Sequence, residues 1–178
     1  GELAGKKLNF VSFTPGTSLQ VTSGGGRALE RVVMYWMLAR GSQDLDVRPR
    51  RWLQFFRDSS SLKNFTADVE RFRRHRMHEL DLDFAAEFAE QLSRDRGPRG
   101  GKLLDELVEC VQEFNYLRGN PAKDLSRRRS RIIGAMRATV ARLAIERLEP
   151  DLVVMDEFQR FSELMRADAE SEAAELLH

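Results

Sequence analysis

Apolar residues in this chain recur mainly at intervals of three and four, the spacing of one buried helix face. Ala28, Leu29, Val32, Val33, Trp36 and Met37 predict a helix over 27–39, with Gly41 as its stop. A short helix is expected over 49–57, after which Ser59-Ser60-Ser61 offers a break and a cap. Phe65, Val69, Phe72 and Met77 predict a helix over 62–80, and Phe84, Ala85, Phe88 and Leu92 another over 83–94. Gly97-Pro98-Arg99-Gly100-Gly101 is the plainest loop in the chain. Leu103, Leu104, Leu107, Val108, Val111 and Phe114 then mark an amphipathic helix to about residue 118, ended by Gly119-Asn120-Pro121. The longest helical pattern covers 125–148, with Ile132, Ile133, Met136, Val140, Leu143, Ala144 and Ile145 facing a core.

Two stretches break this period. Residues 8–13 are rich in β-forming side chains and run into Thr14-Pro15-Gly16, where proline and glycine favour a turn. Leu152-Val153-Val154-Met155 is a continuous apolar run after Pro150-Asp151, the pattern of a strand buried on both faces. Asp156 and Glu157 follow it directly, where open α/β sheets place their ligands. The two strands are expected to be parallel and joined by a right-handed helical crossover.

The 178 residues suffice for a domain with a substantial core, and 42% hydrophobic with 32% charged residues fits a soluble globular class. A net charge of +1 conceals an uneven distribution. Residues 118–147 hold nine Lys/Arg against two Asp/Glu, a balance of +7, while 149–178 hold two against nine, a balance of −7. The arginines at 127, 128, 129, 131, 137, 142 and 147 form either a solvated face or a surface for phosphates. Arg48-Pro49-Arg50-Arg51-Trp52 is either a nucleic-acid contact or a helix start anchored by Trp52. Cys110 stands alone, so no disulfide framework or cysteine metal cage is expected, and it reads as a small hydrophobe. No apolar run reaches the length of a membrane span and no signal-peptide pattern opens the chain, so the expected setting is cytoplasmic, with no membrane partner.

An apolar strand ending in two acids resembles the Walker B box of P-loop ATPases. Asp156-Glu157-Phe158-Gln159 is similar to motif II of bacterial superfamily 2 helicases, the DEAD/DEAH-like and Snf2-related group. Phe13-Thr14-Pro15-Gly16-Thr17-Ser18 resembles motif Ia of the same family, and Gly26-Arg27-Ala28-Leu29-Glu30-Arg31 adds to the likeness. The resemblance implies an α/β fold: an incomplete RecA-like P-loop NTPase lobe with few parallel strands and a large helical insertion. Residues 1–41 and 126–178 would form parts of that lobe and 42–125 the insertion. Asp156 would be the magnesium-side acid, while Glu157, the base that positions water, and Gln159 would be catalytic. Thr14, Gly16, Thr17 and Ser18 would touch the nucleic-acid backbone.

Ser23-Gly24-Gly25-Gly26 lacks the Gly-Lys-Ser/Thr ending of a Walker A loop and reads as a hinge before a helix. No Ser-Ala-Thr motif III occurs either. The chain is therefore expected to be a piece of a longer helicase, running from motif Ia to motif II and inactive by itself. Mg2+ and ATP would be cofactors of the intact parent and not tightly held here. The expected partners are nucleic acid, DNA first, and the rest of that parent. The alternative is a non-catalytic helical module that binds nucleic acid or protein.

Overall fold

The computed structural model describes residues 10–13, 26–47, 49–116, 121–148 and 152–155. The chain divides into two compact units, Val21–Leu143 and a second made of Gly1–Gln20 with Ala144–His178.

The larger unit is helical. Its elements are α1 (Ala28–Gly41), α2 (Arg50–Phe56), α3 (Leu62–His75), α4 (Leu82–Leu92), α5 (Leu103–Glu113) and the part of α6 (Lys123–Leu148) up to Leu143. Local chemistry sets the helix starts. The Ser61 hydroxyl accepts a hydrogen bond from the Asn64 amide at 3.1 Å, and the Asp81 carboxylate accepts one from the Phe84 amide at 2.9 Å. Each satisfies one of the donors that a first helical turn leaves open. The expected helix over 62–80 is shorter than its apolar pattern: it stops at His75, and Met77–Glu79 forms a separate 3-10 turn. Arg76 departs from helical backbone there and closes a bidentate pair with Glu79 instead.

The core is assembled from the apolar faces of these helices and their connections. Phe55, Phe56, Phe65, Phe88, Leu38, Leu92, Leu107, Ile132 and Ile133 are fully buried within it. Aromatic rings form its centre: Trp52 stacks on Phe56, Tyr35 meets Phe56 edge-on, and Phe55 meets both Phe56 and Phe114 edge-on. Such geometries suit the ring quadrupoles. Trp52 thus anchors the start of α2 and is buried, not presented to a ligand. The Trp36 indole N–H donates to the Val69 carbonyl at 3.1 Å, tying α1 to α3. Gly41 ends α1 for a reason of packing: a Cβ there would lie 1.9 Å from the Ala85 carbonyl oxygen. Only glycine lets α1 and α4 approach this closely.

In the smaller unit, β1 (Phe10–Phe13) and β2 (Leu152–Met155) pair in parallel, with Phe10 opposite Leu152 and Phe13 opposite Met155. Two strands of four residues are all the sheet among the described residues.

The expected α/β class is thereby corrected. A RecA-like P-loop NTPase lobe is organised by a many-stranded parallel sheet covered on both faces. Here the described core is drawn from helices and their connections, and one short strand pair cannot organise it. The helices are the body of the fold and not an insertion into a RecA-like sheet. The reading as a fragment of a superfamily 2 helicase, which rested on that sheet, falls with it.

Candidate anion-binding cleft

Asp156, Glu157 and Gln159, assigned by resemblance to metal binding and catalysis, lie outside the described residues, as do Thr14, Gly16, Thr17 and Ser18 of the motif Ia likeness. The described residues place the chain's basic chemistry elsewhere, on α6. The partners of its arginines decide what that helix can do.

Most of those arginines are consumed inside the fold. Arg128 donates to Glu113, and its Nη2 lies 3.1 Å from the Glu109 carboxylate. Arg129 is buried and pairs with Asp58, and Arg137 lies 2.9 Å from Glu30. Arg142 donates both ways to Asp95 at 2.9 and 3.0 Å. Asp95 also accepts from the Thr139 hydroxyl at 2.5 Å and from the Gln91 amide at 2.7 Å, so it fastens the end of α4 to α6. The acids come from α1, α5 and two connections. The basic segment is therefore largely paired with carboxylates distant in sequence.

Arg127 and Arg131 differ. They sit four residues apart, hence on one face of α6, and both are exposed. Among the described residues Arg127 reaches only Asp124, at 3.4 Å, and Asp124 is 96% exposed. An ion pair so solvated is worth about 0–1 kcal/mol. Arg131 has no ion-pair or hydrogen-bond partner among the described residues. Together with Arg99 and Arg128, and with the carboxylates of Glu106 and Asp124, they line a cleft of about 280 Å³.

The far wall of the cleft is the 97–101 loop, and its shape is built by one buried acid. Glu106 is only 4% exposed and accepts from the Arg99 amide at 3.0 Å and the Gly101 amide at 3.1 Å. Gly97 permits this: a Cβ there would come 2.5 Å from the Glu106 carboxyl carbon. Gly100, at φ +86°, makes the turn. The loop in turn presents Arg99, which pairs with Glu109 and stands 3.7 Å from Glu106. The hydrogen bond from Arg99 holds the Glu109 carboxyl below its usual range, aided by the charge of Arg128, and Glu109 raises the Arg99 guanidinium in return. Both stay charged at all ordinary pH. Within Arg128, Nε is buried without a hydrogen-bond partner among the described residues, and Nη2, also buried, faces the Glu109 carboxylate at 3.1 Å.

Arg99 and Glu106 are site residues that the sequence does not single out. The one sequence signal was the glycine-rich loop itself, with an acid five residues beyond Gly101. The described residues include no group of three or more His, Cys, Asp or Glu able to hold a metal ion. None of their helices is long and apolar enough to cross a membrane.

Fold and site together define a helical module carrying an arginine-lined cleft. Comparison with protein-family models, with curated proteins and with solved structures finds no match. Nothing in these comparisons supports the helicase and P-loop NTPase vocabulary that the motif likeness suggested, in agreement with the helical fold.

Proposed function

We propose that the chain is a helical binding module that takes the phosphate backbone of nucleic acid, DNA first, at the arginine-lined cleft. One observation carries this reading: Arg127 and Arg131 stand side by side at the cleft while Arg128, Arg129 and Arg137 of α6 are paired with carboxylates from other elements. Phosphate oxygens are the natural partners of such guanidiniums, and contacts of this type do not read sequence. The affinity is then of the non-specific kind, about 10⁻⁴–10⁻⁶ M at physiological salt.

Two available arginines set the salt dependence. Each neutralised phosphate contributes about −0.9 to the slope of log K against log salt on duplex DNA, so a slope of about −2 is expected. Titrating the chain against single- and double-stranded DNA at several salt concentrations measures it. Arg131→Ala lowers the slope by about 1 and weakens binding uniformly across sequences. Binding indifferent to salt, or a slope unchanged in both Arg127→Ala and Arg131→Ala, refutes the assignment.

A further inference from the structure

A second recess, of about 490 Å³, lies between the first turns of α1 and the last turns of α3. Its floor is apolar, made of Val32 and Phe72, and Leu29 stands beside them with 51% of its surface exposed. Leu29 thereby carries the apolar surface of the recess out to its edge. The rim is cationic. Arg71 on α3 and Arg76 just beyond its end line it, with His75 between them, against a single acid, Asp68. The Arg76 guanidinium is held 5.6 Å over the Phe72 ring, so its charge projects directly above the floor. The amino end of α1, where the Arg27 amide donates to Glu30 at 3.2 Å, closes the recess on the other side.

Both rim arginines have intrachain partners, Arg71 with Asp68 at 3.1 Å and Arg76 with Glu79 at 2.7 Å. All four side chains of these pairs are at least 36% exposed, so the pairs are weak and open to exchange for carboxylates of a ligand. The exposed guanidiniums at the rim favour an occupant that brings negative charge to the edges of this apolar floor.

We propose that this groove docks an acidic amphipathic helix of a partner protein, with apolar anchors on Val32, Phe72 and Leu29 and carboxylates toward Arg71, His75 and Arg76. This is the helix-in-groove mode, in which residues along one face of the ligand helix supply the anchors. The charged rim selects orientation and partner, and the floor supplies most of the affinity. The groove shares no lining residue with the arginine cleft, so each surface is tested separately.

The test uses the full chain and a fluorescein-labelled helical peptide of Leu and Glu, its leucines along one face, followed by fluorescence anisotropy. A peptide with Lys in place of every Glu is the control. The acidic peptide binds, and the basic one does not. Leu29→Asp weakens binding by about tenfold or more. The residue is exposed and in the first turn, where an acid suits the dipole, so the fold survives. Arg71→Glu, also on an exposed position, weakens it through charge alone. Equal binding of the two peptides overturns the proposal, and so does unchanged affinity in both variants. Displacement of the peptide by duplex DNA from the chain carrying Arg127→Ala and Arg131→Ala overturns it as well, since it assigns the groove to nucleic acid.

Discussion

Replacing Asp58 by asparagine tests the most heavily charged part of the interior. Arg129 is 95% buried in the helical unit, given its 5% exposure, and Asp58 is its paired carboxylate. Burial draws the Arg129 guanidinium below its ordinary value and Asp58 pulls it back up, with the charges of Arg57 and Arg31 adding to the destabilisation. Arginine does not discharge in proteins, so the fold must carry the cation whatever happens to its partner. Two of its nitrogens, Nε and Nη1, already lack hydrogen-bond partners among the described residues. Removing one member of a buried pair costs about 3–5 kcal/mol. Asp58 keeps 25% of its side chain exposed, so water screens part of the loss and about 2–4 kcal/mol is expected.

Asparagine is the informative replacement because Asp58 has φ +52°, a conformation that Asn also tolerates. Shape and backbone are kept and only the charge is lost. Asp58→Ala adds backbone strain of about 1 kcal/mol on top. Arg129→Met removes the stranded charge and costs less than Asp58→Asn does, and in the double variant the two changes do not add. Urea unfolding followed by far-UV circular dichroism gives all the values. A loss below about 0.5 kcal/mol in Asp58→Asn, or strict additivity in the double variant, would show that the charge pair contributes nothing to this core.

Four further outcomes follow from the packing. Gly41→Ala forces α1 and α4 apart, because its Cβ would sit 1.9 Å from the Ala85 oxygen; a loss of about 1–3 kcal/mol in urea unfolding is expected, and a neutral result refutes the close approach. Asp95→Ala leaves the Thr139 hydroxyl, which is in a residue 3% exposed, with only its longer 3.3 Å bond to the Ala135 carbonyl and takes a carboxylate from Arg142, costing about 1–3 kcal/mol; Thr139→Val in that background recovers part of the loss. Burial pushes the Cys110 thiol from its ordinary 9.0 up to about 11. Well below pH 9 both the folded and the unfolded thiol stay protonated; as pH rises through 9 the unfolded chain loses the proton first, so stability falls by about 2–3 kcal/mol as pH reaches 11. Comparing the pH dependence of unfolding with that of Cys110→Ala isolates this share, and identical profiles refute it. The same burial leaves native Cys110 unreactive toward iodoacetamide at pH 8 until the chain unfolds.

What the sequence determined by itself is the helical body. The three-and-four spacing of Phe65, Val69 and Phe72, of Ala85, Phe88 and Leu92, and of Ile132, Ile133 and Met136 marks the faces that the structure buries. Helix periodicity is a local property, and so are the caps at Ser61 and Asp81. The apolar runs at Phe10–Phe13 and Leu152–Met155 were also legible as strands. Their weight was not: a run of four apolar residues looks alike whether it organises a sheet or closes a two-stranded pair, and the acids after it have the same letters in either setting. The destination of the arginines on α6 was equally hidden. Arg128, Arg129, Arg137 and Arg142 meet Glu113, Asp58, Glu30 and Asp95 from other parts of the chain, up to 107 residues away for Arg137 and Glu30. Only tertiary folding brings those charges together, and only by doing so does it leave Arg127 and Arg131 outward at the cleft, because charges buried with the helix must be matched while those on its open face need not be.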